Sequence, residues 1–220
     1  VEASLATRRP VLVFTTAGPG LTNALTGMLA ARWDGAHVIF VSASTVAANR
    51  GRVATQETSP ATIGAHGLYL PGGALHYATT IEHPAQLAPA IAQLASGLAR
   101  PGGFVAHLSL PIDLQHAPCA PPRVSTDRGA LVPACAPATI AAHAALLTAA
   151  RPVLWLGFGA RHAAGPIRRL VERLDARVMC SPRGKGVFPE DDPRFLGVTG
   201  LGGHTRVDEL LTAERPAYTL

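Results

Sequence analysis

The chain has 220 residues, 48% of them hydrophobic and 15% charged, and carries a formal net charge of +5. This composition excludes a wholly disordered chain, and the lack of a long apolar run or a signal-peptide core predicts a cytoplasmic protein with no membrane partner. The basic residues are scattered, and the 3 cysteines and 9 histidines show no metal-ligand spacing, which argues against a nucleic-acid partner, a disulfide framework or a metal site built by this chain.

The first 46 residues predict a helix, then a strand, a turn, a second helix and a second strand. Residues 1–9 have helical composition without a preceding cap and stop at Pro10, so we expect the chain to begin inside a helix. The apolar β-branched run that follows breaks at a Gly-Pro-Gly turn at 18–20. It continues with helical composition to about Arg32 and resumes as a buried run at 38–41. Such units build parallel sheets.

The Gly-Pro-Gly turn is the first candidate site. Glycines where a strand meets a helix let a ligand approach the backbone, and the first N–H groups of a helix have no partner within it. Thr22 and Asn23 follow the turn and can either cap the helix or bind a ligand. The stretch alone fits a binding site and an ordinary capped turn equally well.

A long polar segment at 42–73 separates this unit from the next elements. Loops of that length in compact domains are usually functional or contact a partner. Gln56 and Glu57 are its strongest candidates for a functional polar contact. A solvated loop surface is the alternative interpretation. A short strand at 75–79, an amphipathic helix at 84–99 and a buried strand at 104–110 then continue the β–α alternation.

The second half repeats the pattern after a proline-rich linker. A helix is predicted at 138–150, a strand at 152–156, a helix at 165–174 and a strand at 176–181. Gly157 and Gly159 lie where a nucleotide could meet a helix N-terminus, but His162 occupies the third glycine position of the dinucleotide pattern. A plain strand-to-helix turn is the alternative.

The end of the chain is predicted to contain a segment rich in turns and the start of a strand. Residues 182–203 are rich in glycine and proline, so their acids, Glu190, Asp191 and Asp192, are expected in an exposed turn rather than in catalysis. A final strand is expected to start at Tyr218. Both ends of the chain look cut.

Five segments, taken together, resemble the thiamine-diphosphate-dependent enzymes of the acetolactate synthase, oxalyl-CoA decarboxylase and benzoylformate decarboxylase group. The match covers almost the whole chain, and its first and last segments are specific in combination. The segments are TTAGPGLTNALTGMLAARWDGAHVIFVSAS, ATQET, RPGGFVAHLSLPIDLQ, RPVLWLGFGA and GKGVFPEDDPRFLGVTG.

The resemblance implies an α/β fold with two Rossmann-like, doubly wound parallel-sheet domains, both incomplete. Residues 1–116 would be most of a pyrimidine-binding domain that lacks its first strand and helix. Residues 117–137 would be the Pro-rich linker, and residues 138–220 the first part of a central domain. The parent would form a homodimer or homotetramer.

The resemblance also implies the cofactor and the residues around it. Thiamine diphosphate would bind with its aminopyrimidine ring near the turn, which would then not be a phosphate cradle. The cofactor-binding residues would be Gly18, Pro19, Gly20 and Asn23; the substrate side would include Ser44, Thr55, Gln56 and Val198. FAD or ADP could bind the central domain at Gly157 and Gly159.

The implied activity is that of a carbon–carbon lyase or carboligase acting on a 2-oxo acid or a related carbonyl or acyl substrate. Ser44, Thr55 and Val198 stand where acetolactate synthases have glutamine, phenylalanine and methionine, so substrates other than pyruvate fit equally well. No catalytic residue is expected here, because the activating glutamate would lie upstream of Val1 and the motif that binds Mg²⁺ and diphosphate beyond Leu220. The segment alone should be inactive. The alternative is a non-catalytic nucleotide-binding or subunit-assembly module.

Overall fold

The computed structural model describes residues 1–59, 62, 66–100, 102–122, 134–149, 152–214, 216 and 219. The chain divides into two compact units, Val1–Pro133 and Ala134–Leu220. The middle of the predicted linker at 117–137, and Tyr218 of the predicted last strand, lie outside the described residues.

The first unit is built on a four-stranded parallel sheet in the order β1-β2-β4-β3. Its strands are β1 (Val11–Thr15), β2 (His37–Ser44), β3 (Tyr77–Thr80) and β4 (Phe104–Pro111). Its helices are α1 (Glu2–Thr7), α2 (Pro19–Asp34), α3 (His66–Tyr69) and α4 (Leu87–Leu98), with 3₁₀ turns at Ala47–Asn49, Pro84–Gln86 and Ile112–His116.

Helices cover both faces of this sheet, as its apolar strands require. On one face α2 and α3 bury Leu21, Met28 and Tyr69 against Phe40 and Val105. On the other face, α4 packs Leu94 and other apolar side chains against the same strands. All four strands run in the same direction, so their carboxyl ends lie at one edge of the sheet.

The second unit contains a three-stranded parallel sheet in the order β5-β6-β7. Its elements are α5 (Pro137–Ala149), β5 (Val153–Leu156), α6 (Ala164–Leu174), β6 (Arg177–Cys180), β7 (Phe195–Val198), α7 (Thr205–Glu209) and a π-helical turn at Leu210–Glu214, with 3₁₀ turns at Phe158–His162 and Pro182–Gly184. Val171 of α6 packs on the apolar strands. Thr219 forms an isolated parallel bridge to Val153.

The predicted α/β architecture with parallel sheets is confirmed, but two local expectations were wrong. The segment at 182–203 contains the buried strand β7, and α7 follows it. The polar segment at 42–73 is not wholly irregular, because β2 extends to Ser44 and α3 lies near its end.

None of the helices in the described part of the chain combines the length and apolar character of a bilayer span.

Candidate functional site

The Gly-Pro-Gly turn holds a backbone conformation that glycine alone adopts easily. Gly18 has φ 65° and ψ −124° and immediately precedes α2. A Cβ atom on Gly18 would lie 2.7 Å from Gln56 Cβ and 2.9 Å from the Gln56 carbonyl oxygen. Gln56 itself is held at φ 57°. The structure therefore brings Gly18 and Gln56, predicted from separate motifs, into direct contact.

Most backbone donors of this turn are already engaged. Gly18 N–H donates to Thr58 Oγ1 at 3.0 Å. The N–H groups of Leu21 and Thr22 both donate to the Gly18 carbonyl oxygen at 3.1 Å, and Pro19 has no N–H. A phosphate cradle needs several convergent free N–H groups. The turn is therefore suited to contact through side chains rather than to phosphate binding.

The first turn of α2 presents a polar and apolar pair to the outside. Pro19 and Asn23 are both exposed, and residues four apart lie on the same face of a helix. Gly20 is packed more tightly, since a Cβ there would lie 2.5 Å from Thr16 Oγ1. Pro19 and Asn23 can therefore contact a ligand, whereas Gly18 and Gly20 permit the close packing beneath them.

The loop that carries Gln56 is closed by its own polar contacts. Glu57 Oε1 accepts hydrogen bonds from Gly51 N–H at 2.8 Å and from Ser59 Oγ at 3.1 Å. Arg50 pairs with Glu82 at 2.6 Å. Glu57 thus organises the loop, while the neighbouring Thr55 and Gln56 are exposed.

A row of hydroxyl side chains crosses the sheet near the carboxyl ends of its strands. Thr15 pairs with Ser42, Ser42 with Ser109, and Ser109 with Thr80, so all four side chains lie on one face. Ser44 is two residues beyond Ser42 on that face. Among the described residues, Thr15 Oγ1, Ser44 Oγ and Ser109 Oγ are buried without a hydrogen-bond partner.

Buried hydroxyls without partners point to ordered water or a ligand. The carboxyl edge is also where open parallel sheets bind ligands. Ser44 was predicted on the substrate side, but the other members of the row were missed. The available signal was a Ser or Thr near the end of each apolar strand.

His107 is a second feature that the sequence did not reveal. It is fully buried in the middle of β4, where Ser42 Oγ lies 2.8 Å from its Nε2. Its Nδ1 contacts the Leu68 carbonyl oxygen, and its ring packs against Tyr69 with centroids 5.5 Å apart. Burial lowers the pKa of His107, which favours the neutral ring.

In the second unit, the glycine turn after β5 has open space beside it. A Cβ atom on Gly157 or Gly159 would meet nothing within 4 Å among the described residues. The Phe158 ring between them has the guanidinium groups of Arg161 and Arg183 at 4.0 Å from its centroid. This edge of the sheet is therefore cationic and sterically open.

The remaining predicted residues of the second unit have structural partners. Val198 is 8% exposed and packs in the apolar core, and its N–H donates to His204 Nδ1 at 3.0 Å. Hydrogen bonds from Arg194 lower the pKa of Asp192 to about 2. Glu190 pairs with Lys185 at 3.0 Å. Within the described part of the chain, no group of three or more His, Cys, Asp or Glu side chains could hold a metal ion.

Two family models match the chain. Residues 2–63 match "Thiamine pyrophosphate enzyme, N-terminal TPP binding domain", and residues 140–214 match "Thiamine pyrophosphate enzyme, central domain". The first match contains the turn at 18–20 and the Gln56 loop. The second contains the glycine turn after β5.

Curated relatives of several activities are similar to the chain. An "Acetolactate synthase large subunit" of Parasynechococcus marenigrum is 29% identical over 90% of this chain and 32% of the relative. The "Probable 2-ketoarginine decarboxylase AruI" of Pseudomonas aeruginosa is 31% identical over 87% of this chain and 34% of the relative. The "2-hydroxyacyl-CoA lyase 1" of Mus musculus is 31% identical over 87% of this chain and 33% of the relative. The chain thus spans about a third of the length of the curated relatives it matches.

The fold is also similar to that of a solved structure from Mycobacterium smegmatis, a "putative thiamin diphosphate-dependent enzyme". The TM-score is 0.67, with 22% identity over 90% of this chain and 37% of the other. At this identity the similarity supports the fold alone.

Proposed function

Because the chain belongs to the thiamine pyrophosphate enzyme family, with segments of its N-terminal and central domains, we propose that it is part of a thiamine-diphosphate-dependent carbon–carbon lyase or carboligase. The substrate would be a 2-oxo acid or a related carbonyl or acyl compound. The observation that carries this proposal is the contact between Gly18 and Gln56, which joins the turn and the loop at the carboxyl edge of the first sheet.

The residues at this edge fit a flat polar heterocycle better than a phosphate. Most donors of the turn are engaged within the chain, whereas Pro19 offers an exposed apolar surface and Asn23 an exposed amide. An amide side chain both donates and accepts hydrogen bonds, as recognition of an aminopyrimidine requires. We therefore assign the aminopyrimidine ring to Pro19 and Asn23, with Gly18 and Gly20 allowing the packing below.

When bound, thiamine diphosphate supplies a carbanion equivalent that attacks a carbonyl carbon and afterwards accepts its electrons. The residues of this chain orient and enclose that chemistry. Thr58 fixes Gly18 through its hydroxyl, and Gln56 presents an exposed amide to the substrate side. Glu57 serves the loop, since Gly51 and Ser59 occupy its Oε1.

The substrate proposal rests on small polar side chains near the site. Ser44 has a buried hydroxyl without a partner in the described residues, and Thr55 is exposed. Both replace larger residues of acetolactate synthases, so the pocket should accept 2-oxo acids or acyl thioesters larger than pyruvate. Val198 packs in the core of the second unit, so its contribution would be indirect. A homodimer or homotetramer in the cytoplasm accords with this assignment.

A nucleotide such as FAD or ADP is proposed for the second unit. The open space beside Gly157 and Gly159 and the guanidinium groups of Arg161 and Arg183 support it. Arg161 Nε is buried without a partner among the described residues, as expected of a donor that binds a ligand acceptor. A diphosphate would satisfy such donors in the geometry that arginine favours.

Calorimetry on the intact protein tests the proposed function. We expect saturable binding of thiamine diphosphate that EDTA abolishes, because a diphosphate beside protein oxygens needs a bridging cation such as Mg²⁺. Asn23→Ala should weaken binding by about tenfold, the loss of one or two hydrogen bonds. Gln93→Ala is the matched control, since Gln93 is an exposed amide on α4.

Binding that is absent in the wild-type protein, or that EDTA leaves unchanged, would contradict the enzyme proposal and favour a nucleotide-binding or assembly module. Equal effects of Asn23→Ala and Gln93→Ala would contradict the placement of the ring.

A further inference from the structure

A chain of buried polar contacts begins inside the first sheet. The Leu68 carbonyl oxygen can only accept a hydrogen bond, so His107 Nδ1 must donate to it. In the neutral ring Nε2 is then an acceptor, and Ser42 Oγ donates to it across 2.8 Å. His107 thus ties β2 and β4 to the backbone of α3 through one defined tautomer.

The next contact passes from α3 to the loop. Tyr69 directly follows Leu68, and its ring packs on the His107 ring at an interplanar angle of 57°. Its hydroxyl donates to the Thr58 carbonyl oxygen at 2.6 Å, and both residues are buried. Burial raises the pKa of Tyr69, so the phenol keeps the proton that it donates.

The last contact reaches the turn before α2. Thr58 Oγ1 accepts the Gly18 N–H at 3.0 Å. Gln56 precedes Thr58 by two residues and packs directly on Gly18. A displacement of Thr58 must therefore move the surface on which Gly18 and Gln56 meet.

We propose that Ser42, His107, Tyr69 and Thr58 form a positioning relay that sets the contact between the turn and Gln56, and through it the affinity for the aminopyrimidine ring. This inference rests on the proposed function for the ligand it names. The relay residues do not touch the ring themselves; they act through Gly18 and Gln56.

The chemistry of the relay is unusual for its location. Strands covered on both faces are ordinarily continuous apolar runs, and apolar side chains alone would fill the space around His107. A buried hydrogen bond fixes distance and direction, and losing one partner leaves the other unsatisfied. The relay is therefore suited to defining a geometry rather than merely to filling a core.

Two single-contact variants of the intact protein test the relay. Tyr69→Phe keeps the ring and removes the bond to Thr58, and Thr58→Val keeps the shape and removes the bond to Gly18. Thr58→Ser retains the hydroxyl, and Tyr77→Phe on β3 is the matched tyrosine control. We measure the Kd for thiamine diphosphate with Mg²⁺, and hydrogen–deuterium exchange of the segments around residues 16–24 and 50–59.

Tyr69→Phe and Thr58→Val should each raise the Kd by roughly three- to tenfold, the usual effect of one net hydrogen bond. Hydrogen–deuterium exchange should rise in both segments, whereas exchange in the second unit should not change. The Kd of Thr58→Ser and that of Tyr77→Phe should stay within about twofold of the wild-type Kd. The recovery in Thr58→Ser is a result that a role in simple packing does not predict.

Unchanged Kd and exchange in Tyr69→Phe and Thr58→Val would overturn the relay. A uniform rise in exchange across the chain, with Thr58→Ser as damaging as Thr58→Val, would also overturn it, because that pattern describes general core damage. If the wild-type protein binds no thiamine diphosphate, the proposed function fails, and the exchange data alone decide whether the relay positions the loop.

Discussion

Gly18 shows how one residue can set the architecture of the candidate site. Its φ of 65° and ψ of −124° suit glycine alone, and the Gln56 backbone occupies the space where a side chain would begin. Gly27, also associated with α2, is different, because a Cβ atom there would meet nothing within 4 Å among the described residues. Position 18 therefore requires glycine, whereas position 27 has room for a side chain.

We therefore expect Gly18→Ala and Gly27→Ala to change stability in opposite directions. Gly18→Ala should destabilise the protein by about 2 kcal/mol or more, from backbone strain together with overlap with Gln56. Gly27→Ala should stabilise it by about 0.5–1 kcal/mol, because alanine favours the helix. Denaturant unfolding of both variants, with thiamine diphosphate titrations, measures this. A Gly18→Ala protein as stable as Gly27→Ala would contradict the assigned geometry of the turn.

At the scale of elements, His107 joins β2, β4 and α3 through contacts that depend on its protonation. Burial lowers its pKa below the usual value of 6.5, whereas the unfolded chain protonates near that value. As the pH falls below about 6.5, the unfolded state therefore binds more protons than the folded state. The stability associated with neutral His107 is complete above this pH and is lost toward the lower folded-state pKa.

We expect the wild-type protein to lose stability more steeply than His107→Gln as the pH falls below about 6.5, by at most about 1.4 kcal/mol per pH unit. The difference between the two proteins is the quantity to measure, since burial also lowers the pKa values of His37 and His76. Unfolding midpoints in denaturant at each pH provide it. Parallel pH curves for the two proteins would contradict a buried neutral His107.

The elements that the sequence predicted well were those with a strong periodic pattern. β1 and β2 are apolar runs rich in β-branched residues, β4 is a mainly apolar run, and α4 carries its apolar residues at helical spacing. β7 was missed because its four residues, FLGV, contain a glycine and lie between proline- and glycine-rich turns that dominate the local composition. Short strands of this kind are stabilised by pairing, here with β6, which no local pattern reports.

The candidate site was predictable only in part, for the same reason. The turn at 18–20 and Gln56 belong to separate local motifs, but their contact depends on the conformation of both backbones. The hydroxyl row exists only once Thr15, Ser42 and Ser109 are placed in register. His107 stands in an apolar strand, where a lone histidine gives no signal until its partners are known.

At the scale of the whole chain, each unit exposes large apolar side chains. In the first unit Phe14 and Leu12 of the edge strand β1 are 74% and 57% exposed, and Leu29 of α2 is 51% exposed. In the second unit Ile140 of α5 is 58% exposed and Trp155 of β5 50% exposed. Exposed apolar patches of this kind commonly mark surfaces that another protein segment covers.

We predict that residues 1–220, expressed alone, will not remain a stable monomer. An edge strand with apolar outward side chains pairs readily with other chains, and only 15% of the residues are charged, which leaves little repulsion to oppose association. Analytical ultracentrifugation should show oligomers or aggregates whose mass grows with concentration. Phe14→Lys should reduce this association, because a charge on an edge strand disfavours pairing, whereas an exposed substitution away from the patch, Gln93→Lys on α4, should not. A monomer at all concentrations with one sharp thermal transition would contradict the prediction, and would mean that β1 and α2 need no partner surface.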